Sequence, residues 1–409
     1  MSELNTADES EDARIERHAS WAELFFDLVV VAGIAALAHV LGLRTNASAL
    51  GLYALLFLAF WLSWTTFMLY GNVAAGQTHI TRLMIGMFGL GVMAASVPGV
   101  AHTVLGDRNS DRPLTVFAIA YIATRTYGSQ SWRRGDVLLD FPVVQYSGGL
   151  LPWFVSIWVD EPWKLVLWAV GVGLDLLFIL ILSGNKIITQ FQARITKQAD
   201  MRRPRRRRAR PETEGPVIHG VSVDPDHLSE RLGLFVIIVL GESVVQVVNA
   251  AATAPYSIGL LETGIASFVL LAGMFGLSVV FGHAGLPHLR VGRIPTRAAL
   301  GLHCLVTGVI ATLAVSLSSV IKHGSDPLPD HMRWLLCGAV CGLLHSRRSH
   351  RRRQPQLRSA TEELTDHHRY RGPALARAAC LRRQWPNPSG LPGPARTRPP
   401  LVRTAIGTD

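Results

Sequence analysis

The sequence predicts an all-α integral membrane protein, a bundle of about nine or ten transmembrane helices. Of its 409 residues, 49% are hydrophobic and 17% are charged, whereas charged residues make up about 25% of a typical soluble domain. Apolar stretches long enough to cross a hydrocarbon layer of ~30 Å recur along the chain. Lys and Arg are divided unequally between alternate loops, which is typical of multi-spanning membrane proteins.

Nine apolar stretches have the length of a spanning helix, since about 20 residues at 1.5 Å each cross the layer. They lie at residues 24–43, 48–70, 83–105, 114–131, 137–159, 163–183, 232–253, 258–281 and 298–321. Arg125 interrupts the fourth stretch. A tenth begins at Trp334 and stops after the short segment WLLCGAVCGLL.

One sizeable loop divides these stretches into two membrane halves. An acidic, cytoplasmic segment at 1–20 precedes the first half, 21–183, which holds about six spans. A basic cytoplasmic linker at 184–229 leads to the second half, 230–344, with three or four spans of which the last is truncated.

A short echo relates the starts of the two halves. His18-Ala-Ser20 and His227-Leu-Ser229 each precede an apolar stretch, at an offset of 209 residues. With an even number of spans between them the halves would be parallel repeats. Chance similarity is the alternative.

The loop charges predict the orientation of the chain. The side that holds the N-terminus carries 19 Lys and Arg, and the other side carries 6, so the N-terminus is predicted to be cytoplasmic. The densest cluster, RRPRRRRAR at Arg202–Arg210, lies on the same side. We interpret it as a topology signal that attracts anionic lipid, in preference to a specific nucleic-acid site.

The tail from His345 to Asp409 differs in composition from the rest of the chain. It is rich in Arg and Pro, lacks Lys, and directly follows an apolar segment of half the usual length. One hypothesis is a shifted reading frame that cuts off the tenth helix. The alternative is a genuine disordered cytoplasmic tail.

Several ionisable residues fall within apolar stretches and form the candidate site. They are Asp27, Arg125, Asp140, Asp175 and Glu242. Counted from the nearest boundary, Arg125, Asp175 and Glu242 all lie roughly 15 to 18 Å deep, so we predict that they form one charge-paired cluster near the midplane. Asp27 and Asp140 lie about one turn inside the cytoplasmic boundary. Acids at two depths would suit a relay for a cation or a proton, whereas the alternative is local pairing that only fixes helix packing.

Known enzyme motifs do not occur in the sequence. It has no P-loop, no HExxH and no GxSxG, and its four cysteines match no metal-binding spacing. We therefore predict no catalytic residue, no metal site and no cofactor.

Two signatures carry a family resemblance: ELFFDLVVV at 23–31 and HLSERLGLFVIIVLGESVV at 227–245. Together they resemble the bacterial low temperature requirement A (LtrA) family over residues 15 to 340, and the tail after His345 does not fit. The resemblance implies a multi-spanning bacterial inner-membrane protein linked by name to growth in the cold, with no settled biochemical activity. The positions that match the family motifs are Glu23, Phe25, Phe26, Asp27, Glu230, Arg231, Gly241 and Glu242.

Three functions remain open from the sequence. An acid-lined path would transport a cation, a proton or a small solute. A structural or regulatory membrane protein would use its buried charges for packing alone, and for Glu23 a simple helix-start role is the favoured alternative. A lipid-modifying enzyme is third, because no nucleophile with a recognisable base is present.

Overall fold

The structure of the protein is a computed structural model. It describes residues 18–44, 46–74, 80–106, 110–130, 136–138, 148–181, 219–280, 282, 295–323, 333–334, 337–338 and 341. All of these belong to one compact unit that ends at Arg348. The tail at 349–409 lies outside the described residues, as do the basic cluster Arg202–Arg210 and most of the tenth apolar segment.

The described part of the chain is almost entirely helical, which confirms the predicted fold class. In chain order the elements are α1 (Trp21–Ala36), α2 (Ala38–Leu43), α3 (Ala47–Ala74), α4 (Ile80–Leu105), α5 (Arg112–Ser129), β1 (Asp136–Leu138), α6 (Leu150–Val155), α7 (Trp163–Ile181), β2 (His219–Val221), α8 (Pro225–Thr253), α9 (Ile258–Phe275) and α10 (Thr296–His323). A 3-10 turn at Ser156–Trp158 extends α6, and a π-helical turn at Gly276–Val280 extends α9. The strands β1 and β2 pair in parallel over three residues each.

Six helical segments in the described residues are long and apolar enough to cross a membrane. They are Trp21–Leu43, Ala47–Ala74, Ile80–Leu105, Pro225–Thr253, Ile258–Val280 and Thr296–Lys322. Two further helices, α5 with 18 residues and α7 with 19, coincide with the fourth and sixth predicted spans. The protein is therefore a multi-pass helical membrane protein.

The fifth predicted span, at 137–159, is not one continuous helix in the structure. Its start pairs as strand β1, and the helix α6 begins only at Leu150, after Gly148 and Gly149. Pro152 then falls in the first turn of α6, where a missing backbone N–H breaks no helical hydrogen bond. The mean hydropathy of the stretch does not show that a strand precedes the helix, so the span prediction was wrong here.

The helix α3 lies at the centre of the bundle. Within its most apolar 18 residues, 83% are buried, and every residue from Ala59 to Asn72 is buried. A helix that is apolar on all sides is expected to pack against neighbours on all sides. The few polar groups of α3 are therefore positioned to meet buried charges on the surrounding helices.

Close helix packing makes one glycine of α4 sensitive to substitution, whereas a second glycine of the same helix should tolerate a larger side chain. A methyl group at Gly86 would lie 2.8 Å from the ring of Phe67 on α3, whereas a methyl group at Gly91 would meet nothing within 4 Å. We expect Gly86→Ala to cost ~1 to 3 kcal/mol through overpacking. Gly91→Ala, the matched control, should be neutral or stabilise the helix by up to ~1 kcal/mol. Thermal unfolding in detergent measures both, and equal melting temperatures for the two variants would contradict the packing.

Candidate functional site: two buried charge clusters beside the central helix

The start of α1 is fixed by a capping box that also turns an acid inward. The Glu23 backbone N–H donates to Ser20 Oγ at 3.3 Å, and Glu23 Oε2 accepts from the Ser20 backbone N–H at 2.9 Å. This reciprocal arrangement satisfies N–H groups that the first turn of a helix leaves free. The Glu23 side chain is nevertheless buried, at 4% exposure. It therefore has the helix-start role and faces the interior as well.

Arg231 of α8 joins both acids of α1. Its Nη2 donates to Asp27 Oδ1 at 2.6 Å, and its Nη1 lies 3.3 Å from Glu23 Oε1. Asp27 Oδ1 also accepts from the indole Nε1 of Trp64 on α3, at 2.7 Å. Asp27 is fully buried and Arg231 is 1% exposed. Two motifs separated by 204 residues thus meet in one charged contact, here named the Arg231 cluster (Glu23, Asp27, Arg231 and His227).

His227 completes this cluster, and a hydrogen bond with Asn72 of α3 orients it. Its Nε2 lies 3.7 Å from Glu23 Oε2, and its Nδ1 lies 3.2 Å from Asn72 Nδ2. The side-chain amide of Asn72 makes two hydrogen bonds with the backbone of Asp224. It accepts from the Asp224 N–H at 2.8 Å and donates to the Asp224 C=O at 3.0 Å. Asp224 in turn caps α8, because its Oδ1 accepts from the backbone N–H of His227. The end of α3 therefore positions the start of α8.

Glu230 lies at the edge of the same region and makes polar contacts at the surface. Its Oε2 accepts from the backbone N–H of Ala19 at 3.2 Å, and its Oε1 lies 3.5 Å from His18 Nδ1. His18 is largely exposed and Glu230 is one-third exposed. These contacts tie the start of α1 to α8 outside the buried cluster.

Several buried polar atoms of the Arg231 cluster make no hydrogen bond to a described residue, although some of them take part in ion-pair contacts. The buried atoms without a hydrogen-bond partner among the described residues include Glu23 Oε1, Asp27 Oδ2, His227 Nε2 and the Nε of Arg231. Unsatisfied polar atoms in a buried site are rare and costly, at about 1 to 3 kcal/mol each. Buried atoms of this kind call for an explanation, such as local strain, a functional role or a bound water.

A second cluster, here named the Arg125 pair, lies against the same central helix. Arg125 Nη2 of α5 donates to Asp175 Oδ2 of α7 at 3.0 Å, and both side chains are at most 2% exposed. Nη1 of Arg125 also contacts Thr66 Oγ1 and the carbonyl of Leu62, both on α3. One positive and one negative charge balance here, which is the arrangement in which buried ions are tolerated.

Stacked aromatic rings form a wall near this pair. Trp153 stacks on Trp168 with ring centroids 4.6 Å apart, and Tyr121 lies 4.2 Å from Trp153. The indole of Trp168 donates to Ser156 Oγ at 2.9 Å. Rigid rings of this kind hold α5, α6 and α7 together.

Glu242 stands apart from the predicted midplane cluster. Its carboxylate contacts Gln246 Nε2, one turn later on α8, at 3.4 Å, and the side chain is half-buried. Among the described residues, Arg125 and Asp175 form an ion pair that does not include Glu242. The predicted cluster of three is therefore a pair, because equal depth along the helices does not fix which way a side chain points.

The other predicted positions have varied surroundings. Phe26 is fully buried and lies 5.4 Å from the ring of Phe67, whereas Phe25 is half exposed. Gly241 is exposed, and a methyl group there would meet nothing within 4 Å. Asp140 lies outside the described residues.

Three polar residues in or beside the Arg231 cluster were not among the predicted site residues. Trp64 and Asn72 lie inside or at the end of an apolar stretch, and His227 precedes one. Arg231 was predicted only as a family-motif position, and the structure buries it inside α8. The available signal was Ser-Glu-Arg directly before an apolar run, because an arginine one turn inside a helix can pair with acids at the same level.

The fold and the two clusters define a class: a multi-pass helical membrane protein with buried ion pairs on both sides of a central helix. The family model for bacterial low temperature requirement A protein (LtrA) matches residues 18–365. The chain belongs to the LtrA family. The match extends about twenty residues beyond His345, so the expectation that the family pattern ends near residue 340 was wrong. No curated protein and no solved structure matches the chain.

Proposed function

We propose that this LtrA-family protein transports a cation, a proton or a small solute across the membrane, and that the Arg231 cluster is the polar site on its path. The observation that carries the proposal is the burial of two carboxylates, one guanidinium and one imidazole, several of whose polar atoms make no hydrogen bond to the described residues. Ionisable groups inside membrane helices are expensive, and they mark ion and substrate pathways when they persist.

The remaining predicted path residues extend the same proposal. The Arg125 pair would line the path on the opposite side of α3, and the half-buried Glu242 would continue it along α8. Asp140 remains part of the proposed path on sequence grounds alone. No step of bond making or breaking is assigned to any of these residues, and the protein is proposed to be a transporter without enzymatic activity.

A structural role is the second candidate, and the Arg125 pair favours it. This pair is charge-balanced, close to fully buried and flanked by stacked tryptophans. Such a pair fixes helix packing without needing a ligand. On this alternative the protein would be a structural or regulatory membrane protein.

Flux through sealed vesicles separates the two candidates. Purified protein is reconstituted into liposomes, and uptake of protons, Na⁺ and K⁺ is measured for the wild type, Asp27→Asn and the control Glu262→Gln, whose side chain is exposed on α9. We expect Asp27→Asn to lower flux to the level of protein-free liposomes while the amount of folded protein is retained. Glu242→Gln should lower flux less, because that carboxylate is only half-buried.

Two results would contradict transport of a proton or an alkali cation. One is wild-type flux equal to that of protein-free liposomes for protons, Na⁺ and K⁺. The other is equal flux in Asp27→Asn and the wild type.

The proposed orientation places the N-terminus and Arg202–Arg210 in the cytoplasm of a bacterial inner membrane. The asymmetry of loop charges supports this orientation. A basic cluster at the cytoplasmic surface would attract anionic lipid, at ~1 kcal/mol per basic residue near the surface.

A further inference from the structure

The two buried clusters differ in their charge balance. In the Arg125 pair, one guanidinium faces one carboxylate. In the Arg231 cluster, one guanidinium faces the two carboxylates of Glu23 and Asp27. The second cluster is therefore short of one positive charge, and an uncompensated buried charge is costly.

No other described cation contacts this cluster to supply the missing charge. The helix α3 has no charged residue between Ala47 and Ala74. On α4, the guanidinium of Arg82 lies over the rings of Tyr70 and Tyr127, at 5.1 and 5.7 Å. On α10, His303 stacks on Trp64 with ring centroids 5.3 Å apart, and the ion pairs of Glu23 and Asp27 among the described residues do not include it. On α8, Glu230 adds a negative charge at the rim, where it meets His18.

His227 is the remaining candidate for the missing positive charge, but its hydrogen bond with Asn72 leaves no position for a second ring proton. The contacts of Asn72 with Asp224 fix its amide orientation, since a backbone N–H can only donate and a C=O can only accept. The amide nitrogen then donates to His227 Nδ1, which must carry a lone pair. The imidazole proton is on Nε2, which faces Glu23. Adding a second proton at Nδ1 would set two donors against each other.

The tight packing of the cluster indicates a proton as the missing charge. A methyl group at Gly71 would lie 2.7 Å from Glu23 Oε1, and Asp27 is fully buried. A metal cation needs several oxygen ligands around a cavity of its own, whereas a proton needs only one free carboxylate oxygen. Asp27 Oδ2 has no hydrogen-bond partner among the described residues, and Glu23 Oε1 has no hydrogen bond there beside its ion-pair contact with Arg231 Nη1 at 3.3 Å.

We propose that the Arg231 cluster binds one exchangeable proton, shared between the carboxyl groups of Glu23 and Asp27, with neutral His227 as a positioning residue that orients Glu23. The proton is thus the ion that the site of the proposed function would bind. The inference rests on the proposed function only in giving this proton a role in transport. Binding of the proton is measured without any flux, so the two proposals can fail separately.

Infrared difference spectroscopy of the purified full-length protein tests the inference at neutral pH. The probe is the C=O stretch of a protonated carboxyl group, identified by its shift in D₂O. We expect a signal of one carboxyl per chain that disappears in both Glu23→Gln and Asp27→Asn, because either substitution leaves the cluster neutral. The signal should persist in His227→Gln and in the controls Glu262→Gln and Glu242→Gln.

Each other outcome overturns the inference. A wild-type spectrum without this signal would mean that His227 carries the charge. A signal that survives either Glu23→Gln or Asp27→Asn would mean that charge balance does not set the protonation. Failure of both single variants to fold would also count against the inference, since each is predicted to contain a balanced cluster.

Discussion

Arg231→Gln is expected to destabilise the folded protein by ~3 to 5 kcal/mol, because it leaves two buried carboxyl groups without their cation. The guanidinium contacts Asp27 at 2.6 Å and Glu23 at 3.3 Å in a site that is almost completely buried. A loss of this size is a large fraction of the stability of most proteins. Reversible unfolding in detergent measures it directly.

Two companion variants define the cause of that loss. Arg44→Gln removes an exposed arginine after α2 and should change stability by less than ~0.5 kcal/mol. Arg231→Lys keeps the charge but should recover only part of the stability, since a single ammonium cannot span two carboxylates as the guanidinium does. Full recovery with lysine would show that charge alone matters and that the bridging geometry does not.

Asp175→Asn is expected to destabilise the protein by a similar ~3 to 5 kcal/mol, because the guanidinium of Arg125 remains buried without a counter-charge. Both side chains of the Arg125 pair are at most 2% exposed. The loss should appear as a lower midpoint of unfolding and as reduced accumulation in the membrane.

The matched control for Asp175→Asn is Asp160→Asn. Asp160 is exposed, so this substitution should change stability by less than ~0.5 kcal/mol. Similar losses for Asp160→Asn and Asp175→Asn would contradict the dependence of the loss on burial of the carboxylate.

Hydropathy and charge patterns predicted most of the helices in the described part of the chain. The stretches at 48–70 and 298–321 lie inside α3 and α10, because uninterrupted apolar runs of this length have few alternatives to a helix. The prediction for the stretch at 137–159 failed, because its start belongs to strand β1 and its helix begins only at Leu150, which the mean hydropathy does not show.

The sequence located ionisable residues within the helices but did not show which of them meet. Depth along a helix placed Arg125, Asp175 and Glu242 at one level, yet only the first two meet. The direction of a side chain around its helix axis depends on how the helices pack, and a single sequence does not contain that angle. For the same reason the contact of Arg231 with Asp27, across 204 residues, was not predicted.

A thermodynamic cycle at the Arg231 cluster tests the central claim that its charges stabilise one another. The unfolding free energies of the wild type, Arg231→Gln, the double variant Glu23→Gln with Asp27→Asn, and the triple variant are compared. The single and double variants should each lose ~3 kcal/mol or more, and the triple variant should be more stable than either, because it leaves no buried charge unpaired. Losses in the triple variant equal to the sum of the other two would contradict the cluster.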